Sequence, residues 1–296
     1  MKNNIYSKKD LFYREFEERF RGSRDLITSR LLAYTPFLIK VIEAHGESSP
    51  AIDLGCGRGE WLELLQKYKF NCYGVDLDDG MLKGCLEMNL PADNKDALQA
   101  LSELPPGSQS IVSGFHIAEH LPFEILMSLV SEAHRVLKPA GLLILETPNP
   151  ENLRVGSNSF YLDPSHERPI PSSLLAFLAE FSGFKRVKVI GLQEDNNIYT
   201  HPSKLLDVLT GVSPDYAIIA QKNAIPEQTA LFDSIFAQNF GIGLEELASS
   251  FQEHFETRIS KLEYKYDDKA SSLSKLLRHS KKFFQNFLSR KSTSKK

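Results

Sequence analysis

A glycine-rich turn after a short apolar run is the first feature of this sequence that can do chemistry. Residues 53–60 read D-L-G-C-G-R-G-E, and apolar residues at helical spacing follow them. Glycines let the backbone pass close under a ligand, and the N-terminus of the following helix presents free N–H groups. The segment therefore predicts a cofactor-binding turn, with a simple tight connection from strand to helix as the alternative.

A carboxylate one strand later favours the cofactor interpretation. Asp76 ends the apolar run 72–75, about twenty residues after the glycines, where an acidic side chain can accept hydrogen bonds from both ribose hydroxyls of an adenosine. The glycine spacing is G-x-G-x-G, and Asp53 precedes it. A pyrophosphate needs bare N–H groups, whereas the ammonium group of a methionine needs acceptors such as the Asp53 carboxylate.

With these features the sequence resembles the class I S-adenosylmethionine-dependent methyltransferases. The resemblance covers roughly residues 48–222. It also includes G-V-D at 74–76, H-I-A-E-H-L at 116–121 and R-V-L-K-P-A-G at 135–141. It implies an enzyme that binds S-adenosyl-L-methionine and transfers its methyl group. Ala140 stands where the family usually has the first glycine of a P-G-G turn.

The resemblance also implies which residues contact the cofactor. Asp96 would accept a hydrogen bond from the adenine amino group beside Ala97, with Leu77 and Met81 on the other face of the ring. Asp96 can also serve as the N-cap of the helix that starts at Ala97. The expected cofactor-binding residues of the core are Asp53, Gly55, Cys56, Gly57, Asp76, Leu77, Met81, Asp96, Ala97 and His116.

The residues after the fourth and fifth strands are expected to face the methyl group, because ligands of open α/β sheets lie outside the carboxyl ends of the strands. His116, Glu119 and His120 spell H-x-x-E-H, which is also the motif of inverted zinc proteases. We exclude a protease because the motif follows a strand and precedes Pro122, whereas the protease needs both histidines on one helical face. Quinone-pathway O-methyltransferases have a carboxylate in place of His116, and this cluster can hold a divalent ion in them. The change to His116 puts metal dependence in doubt, so no metal ligand is assigned and a metal requirement stays open.

A polar and aromatic loop at residues 158–171 contains the preferred general base, His166. Methyl transfer to oxygen requires the attacking hydroxyl to lose its proton, and imidazole accepts protons near neutral pH. His120 is the second candidate. His166 can instead fasten the loop or cap the next helix. Tyr161 and Arg168 are expected to position the substrate or to support the loop.

The N-terminal segment is rich in arginine and aromatic residues. Residues 12–24, together with E-T-P-N-P-E-N at 146–152, resemble methyltransferases from bacterial gene clusters for surface polysaccharides. By that resemblance Arg14 or Arg21 contacts the methionine carboxylate and the helix covers the pocket. An ordinary amphipathic cap is the alternative.

The same resemblance implies the acceptor. It would be a sugar hydroxyl of a surface polysaccharide, such as an O-antigen chain end, or of its lipid-linked intermediate. A small lipophilic phenol of the quinone type is the alternative acceptor. A non-catalytic scaffold that binds the cofactor and recruits polysaccharide enzymes is the alternative from another functional class.

The elements that must position these residues alternate along the chain. Short apolar runs and amphipathic stretches predict a doubly wound, Rossmann-like α/β sheet, mostly parallel, with an antiparallel last strand. The third strand is weakly marked and is placed near residues 90–93. We expect a helical cap at 1–45, the methyltransferase domain at 46–222 and a helical, basic tail at 223–296.

The tail shows two patterns. Apolar residues repeat every three or four positions from Phe251 to Tyr266, which indicates a helix with an apolar stripe. A short coiled coil is one interpretation of this stripe, but two or three heptads are few to establish it. Acidic residues are absent after Asp268, while lysine and arginine recur to the end of the chain. A basic amphipathic helix is typical of contact with a membrane surface or a partner protein.

Composition limits the remaining classes. The 296 residues have a net charge of −3, which gives no general signal for nucleic-acid binding. The three cysteines follow no zinc or disulfide pattern, and the chain begins without the apolar core of a signal peptide. We therefore expect a cytoplasmic protein that acts on a glycan or lipid-linked glycan and can contact the inner membrane through its tail. The oligomeric state stays open.

Overall fold

The computed structural model describes Arg19, residues 22–195 and residues 204–293. Its centre is a seven-stranded sheet in the order β3-β2-β1-β4-β5-β7-β6. The strands are β1 (Pro50–Leu54), β2 (Asn71–Asp76), β3 (Ala92–Asn94), β4 (Gln109–Phe115), β5 (Leu137–Pro148), β6 (Arg186–Leu192) and β7 (Asp215–Gln221). Strand β7 pairs antiparallel with both β5 and β6, whereas β1 to β5 pair parallel. The predicted Rossmann-like sheet with an antiparallel last strand is confirmed.

Helices cover both faces of the sheet. They are α1 (Arg24–Leu31), α2 (Thr35–His45), α3 (Glu60–Lys67), α4 (Asp79–Glu87), α5 (Ala97–Glu103), α6 (Phe123–Val136), α7 (Leu153–Ser157), α8 (Ser172–Phe181), α9 (Leu205–Thr210), α10 (Pro226–Ala230), α11 (Asp233–Ala237) and α12 (Leu244–Thr293). One apolar core lies under α1 to α4 and α11, and a second lies under α5, α6 and α8. Because each face of the sheet is covered, the central strands β4 and β5 are buried along most of their length.

The predicted helices and strands of the core recur with small shifts at their ends. The largest difference is β5, which begins at Leu137 and includes the K-P-A-G turn instead of starting near residue 142. Its pairing with β4 changes register between Gln109 and Ile111. Ala140 has a φ of 61° there, a left-handed conformation that glycine adopts more easily.

The N-terminal cap is described from residue 22 onwards, apart from Arg19. Helix α1 begins after Ser23, whose side chain accepts a hydrogen bond from the backbone N–H of Leu26 and caps the helix. The helix expected before this point, with Arg14 and Arg21, lies outside the described residues. A short 3₁₀ helix, Leu32–Tyr34, joins α1 to α2 and places Tyr34 in the core.

The long helix α12 is attached to the domain only through its first turns, as far as the described chain shows. Leu247 and Phe251 pack with Val208, Val212 and Ile242 in a small apolar cluster. Beyond Phe251 large apolar side chains of α12 are exposed to solvent. Among the described residues, no helix combines the length and hydropathy that crossing a membrane requires.

Candidate methyl-transfer site

The glycine-rich turn and Asp76, the carboxylate expected to bind the ribose, lie together at the carboxyl ends of β1 and β2. Gly55, Gly57 and Gly59 have φ values of 69°, 54° and 84°, so the turn uses conformations that glycine adopts without strain. The N–H of Gly57 donates to Oδ2 of Asp76 at 2.8 Å. Oδ1 of Asp76 accepts from the N–H of Asp78 at 2.8 Å.

Asp76 can therefore have two roles. It holds the glycine turn in place, and its remaining lone pairs can accept the ribose hydroxyls, because an ionised carboxylate has about four acceptor positions. The geometry agrees with the ribose-binding assignment of Asp76, which stays a prediction.

Asp53 lies below the turn. Its side chain is only 2% exposed and accepts a hydrogen bond from Oγ of Ser113 on β4 at 2.7 Å. Cys56, also expected at the cofactor, is buried beside Gly74. Both residues therefore support the turn from the core side, and their direct contact with a cofactor stays a prediction.

The adenine side is formed by β2, β3 and the helices after them. The Leu77 side chain is 67% exposed at the end of β2, and Met81 is half-buried on α4. Asp96 is the N-cap of α5 and accepts from the N–H of Gln99 at 2.9 Å. The capping interpretation of Asp96 is thus confirmed, and the adenine contacts of Asp96 and Ala97 stay predictions.

Replacing Gly57 by valine is expected to weaken binding of S-adenosylmethionine by about tenfold or more. A β-branched residue is a conformational outlier at the positive φ of Gly57, so the N–H that meets Asp76 must move. Isothermal titration calorimetry measures the effect.

Gly46→Val is the matched control. Gly46 also has a positive φ, of 86°, but ends α2 away from the turn, and a Cβ there meets nothing within 4 Å. We expect it to lower the melting temperature without changing the affinity. Equal loss of affinity in both variants would mean that backbone strain, and not the turn, controls binding.

On the substrate side, a cluster of charged residues surrounds His116 at the end of β4. Its Nδ1 lies 3.1 Å from Oε1 of Glu119, and its Nε2 lies 3.5 Å from Oε1 of Glu146. Desolvation lowers the pKa of His116, but the hydrogen bonds to Glu119 and Glu146 outweigh it and raise the pKa well above its usual range. His116 is therefore a charged, fixed side chain, which disfavours it as a general base at neutral pH.

Glu119 is buried and ionised. Burial acts to raise the pKa of Glu119, and the hydrogen bond from His116 outweighs it, so the pKa lies below its usual range. Its second oxygen accepts from Oγ1 of Thr147 at 2.9 Å. Its backbone carbonyl accepts from the N–H of Glu167 at 2.8 Å, which fixes the loop 158–171 to the end of β4.

The cluster includes residues that sequence reasoning did not single out. The hydroxyl of Tyr34 donates to Glu146, and Nε2 of Gln193 donates to the other oxygen of Glu146 at 2.9 Å. Burial, followed by the charge of Glu146, raises the pKa of Tyr34 well above its usual range. The N-terminal cap thus reaches the mouth of β4 and β5 through Tyr34.

Asp215 completes the cluster from β7. The strand runs antiparallel, so its first residue lies at the same sheet edge as the last residues of β4 and β5. Burial raises the pKa of Asp215 to about 7, with the charge of His116 opposing the shift and that of Glu146 adding to it. Asp215 is consequently half-protonated near neutral pH.

The natural chain is expected to become less stable as pH rises from about 5 to about 7, and Asp215→Asn is expected to reduce this loss. The unfolded carboxyl releases its proton near pH 4, whereas the folded one holds it up to about 7. The contribution of this group to the free energy of unfolding is full below pH 4 and falls as pH rises, by about 1.4 kcal/mol per unit at most.

Urea unfolding at several pH values measures this effect. Asp233→Asn, which removes a surface carboxylate paired with Arg186, is the control and should leave the pH profile of the natural chain unchanged in this window. A profile for Asp215→Asn that parallels the natural one would show that Asp215 does not titrate there.

The two histidines proposed for proton transfer lie together, although His120 follows β4 and only His166 belongs to the loop 158–171. The rings of His120 and His166 lie 4.6 Å apart, and the His166 ring packs 4.5 Å from that of Phe160. Nδ1 of His166 lies 2.6 Å from the carbonyl oxygen of Phe160, which can only accept, so Nδ1 carries the proton. His166 therefore fastens the loop, as the alternative interpretation holds. Its Nε2 lies 3.9 Å from Oδ2 of Asp163, and its role as a base stays a prediction.

His120 and the other candidate residues of the loop have distinct surroundings. Nδ1 of His120 lies 2.9 Å from Oγ of Ser165. Tyr161 is 61% exposed and projects from the loop. The guanidinium of Arg168 lies 4.4 Å above the Phe123 ring, so Arg168 has a structural contact.

Within the described residues, two groups of side chains are spaced to hold a metal ion. They are Glu119 with His120 and His166, and His116 with Glu146 and Asp215. The H-x-x-E-H residues are therefore divided between two groups, and His116 and His120 share no regular helix, since only Ala118–His120 forms a short 3₁₀ turn. This arrangement agrees with the exclusion of a zinc protease.

Comparison with known proteins gives the family. The sequence matches the model of a methyltransferase domain over residues 17–189. A solved S-adenosylmethionine-dependent methyltransferase from Archaeoglobus fulgidus is 33% identical, with a TM-score of 0.63, and the match covers 71% of this chain and 100% of that one.

Curated relatives are similar to part of the chain. A probable S-adenosylmethionine-dependent methyltransferase of Mycolicibacterium smegmatis is 28% identical over 48% of this chain and 54% of its own length. A ubiquinone biosynthesis O-methyltransferase of Methylococcus capsulatus is 31% identical over 40% of this chain and 52% of its own length. The chain thus spans about half the length of these relatives.

The family match and the glycine turn held by the carboxylate at the end of β2 lead to the same conclusion. This chain belongs to the class I S-adenosylmethionine-dependent methyltransferases, and it is an enzyme whose cofactor is S-adenosyl-L-methionine.

Proposed function

We propose that the enzyme methylates a sugar hydroxyl of a bacterial surface polysaccharide or of its lipid-linked intermediate. The observation that supports an oxygen acceptor is the orientation of His166, whose Nδ1 is engaged with the Phe160 carbonyl so that Nε2 can accept a proton. The motifs at residues 12–24 and 146–152 supply the support for a glycan.

In the proposed reaction the acceptor oxygen attacks the methyl carbon in line with the sulfonium. The new C–O bond forms as the C–S bond breaks, and the sulfonium becomes the neutral thioether of S-adenosylhomocysteine. The hydroxyl proton passes to Nε2 of His166 or to His120. Most of the acceleration would come from holding the two reactants in line, with the base adding to it.

The exposed side chains of the loop suit a glycan. Tyr161 and Leu162 are 61% and 48% exposed, and polar residues surround them along the loop. An open surface of this kind can receive the end of a long chain. A small lipophilic phenol is the second candidate acceptor, favoured by the similarity to the ubiquinone biosynthesis O-methyltransferase.

A lipid-linked acceptor would be met at a membrane surface, and the end of the chain supports such a contact. After Asp268 the sequence contains only basic charged residues, interspersed with leucine and phenylalanine. Each lysine or arginine near anionic lipid contributes about 1 kcal/mol. We expect the full chain to sediment with anionic vesicles at low salt and to be released as salt rises.

Incubation of the full chain with labelled S-adenosylmethionine tests the proposed function. The acceptors are soluble glycans, lipid-linked glycans, quinone precursors and small amines, and Gly57→Val, with its weakened cofactor binding, is the control. We expect label on a glycan, at an alkali-stable methyl ether. Label on a quinone precursor would replace the glycan by the phenol, and label on an amine would overturn the oxygen acceptor.

A further inference from the structure

The free part of α12 presents a stripe of apolar side chains to solvent. Phe255, Ile259, Leu262, Tyr266 and Leu273 are 54%, 39%, 66%, 77% and 64% exposed. They follow one another at the spacing that places them on one face of a helix. The contacts of α12 with the domain involve Leu247 and Phe251, so the stripe begins where the attachment to the domain ends.

The spacing of this stripe is that of a coiled-coil seam. Phe255 and Leu262 occupy d positions, and Ile259, Tyr266 and Leu273 occupy a positions of successive heptads. Lys269 stands at the d position between Tyr266 and Leu273. A lysine at this position weakens the coiled coil but does not prevent it from forming, since the long side chain can carry the charge out to water.

The charges beside the seam have opposite signs on its two sides. Arg258 and Lys265 occupy the g positions on one side, and Glu256 and Glu263 occupy the e positions on the other. All four residues are exposed. Such flanking charges contribute little to an isolated helix, but they set the choice and orientation of a partner helix.

We propose that the segment Phe255–Leu273 of α12 forms a parallel two-stranded coiled coil with the same segment of a second copy of this chain. In a parallel pair the g position of one helix faces the next e position of the other. Arg258 therefore meets Glu263 of the second copy, and the same contact recurs on the other side of the seam by symmetry.

The charge pattern also selects against the opposite orientation. An antiparallel pair places g beside g and e beside e, so Arg258 would face lysine or arginine and Glu256 would face glutamate. The helix is thus self-complementary only when both copies run in the same direction. The two methyltransferase domains then lie at one end of the coiled coil, and the two basic chain ends lie at the other.

Analytical ultracentrifugation of the full chain tests the dimer with a matched pair of variants. Tyr266→Asp places a charge in the seam, whereas Tyr264→Asp places one at an f position on the opposite face, where the tyrosine is 76% exposed compared with 77% for Tyr266. We expect a concentration-dependent dimer for the natural chain and for Tyr264→Asp. For Tyr266→Asp we expect the dissociation constant to rise by about tenfold or more.

Charge exchange tests the orientation. Arg258→Glu places two glutamates face to face in the parallel pair and should weaken the dimer, and Arg258→Glu combined with Glu263→Arg should restore it. A stronger dimer for Arg258→Glu alone would indicate the antiparallel arrangement and contradict the proposal. Circular dichroism checks that each variant keeps its helix content.

Two further outcomes would overturn the proposal. A natural chain that stays monomeric at every concentration excludes the coiled coil. If Tyr266→Asp then reduces sedimentation with anionic vesicles while Tyr264→Asp does not, the stripe is a membrane contact. Neither result depends on the identity of the methyl acceptor.

Discussion

Asp76→Ala is expected to weaken binding of S-adenosylmethionine by about 10²- to 10⁴-fold. The substitution removes the charged acceptor expected for the two ribose hydroxyls, and each such hydrogen bond is worth about 1.5–3 kcal/mol. It also releases the N–H of Gly57, which Oδ2 of Asp76 holds at 2.8 Å. Both effects weaken binding, so this is the largest loss of affinity expected from one side chain.

Calorimetric titration of the folded variant gives the dissociation constant. Asp76→Asn separates the two effects, because an amide oxygen can still accept from Gly57 while the negative charge is lost. Asp93→Ala is the matched control, since Asp93 is exposed on the neighbouring strand β3 and accepts a hydrogen bond from Tyr73. If Asp76→Ala kept its affinity while its melting curve stayed cooperative, Asp76 would not belong to the cofactor site.

The cofactor half of this molecule was predictable from sequence because its determinants are local. The glycine turn follows its strand directly, and Asp76 ends the next strand, which pairs with β1 in register. A parallel sheet brings the ends of adjacent strands to one edge. The antiparallel β7 was predictable for a similar reason, because the described residues between β6 and β7 include one short helix, α9.

The substrate half depends on contacts between residues far apart in sequence. Tyr34 and Glu146 are separated by 112 positions, and Gln193 and Glu146 by 47. No pattern of residue types specifies such pairs, since any buried hydroxyl or amide could meet the carboxylate. The position of Asp215 could have been derived from the topology. Because β7 runs antiparallel to β5, the first residue of β7 lies beside the last residue of β5.

The motif H-x-x-E-H illustrates a different limit. Its spacing implies that His116, Glu119 and His120 share one cluster. In the structure His116 adopts a φ of 55°, and its ring lies between Glu119 and Glu146, while His120 lies against His166. The contacts that separate the two histidines, with Glu146 and with His166, involve residues outside the motif, so the motif alone does not predict them.

His166 is expected to have the largest effect on turnover, and its two roles can be separated. His166→Asn keeps a side-chain N–H near the position of Nδ1, which can still donate to the Phe160 carbonyl, but it lacks the Nε2 lone pair. We expect the turnover number to fall by about 10²- to 10⁴-fold, the usual range for a lost general base. The affinity for S-adenosylmethionine and the melting temperature should stay close to those of the natural enzyme.

The neighbouring histidine provides the comparison. His120 lies 4.6 Å from His166, ring to ring, and its Nδ1 is bonded to Ser165, so His120→Asn perturbs the same loop without removing Nε2 of His166. Single-turnover rates with the identified acceptor separate chemistry from binding and product release. A large loss for His120→Asn beside a small one for His166→Asn would move the base to the end of β4. Equal and small losses would indicate that orientation of the hydroxyl, and not proton removal, determines the rate.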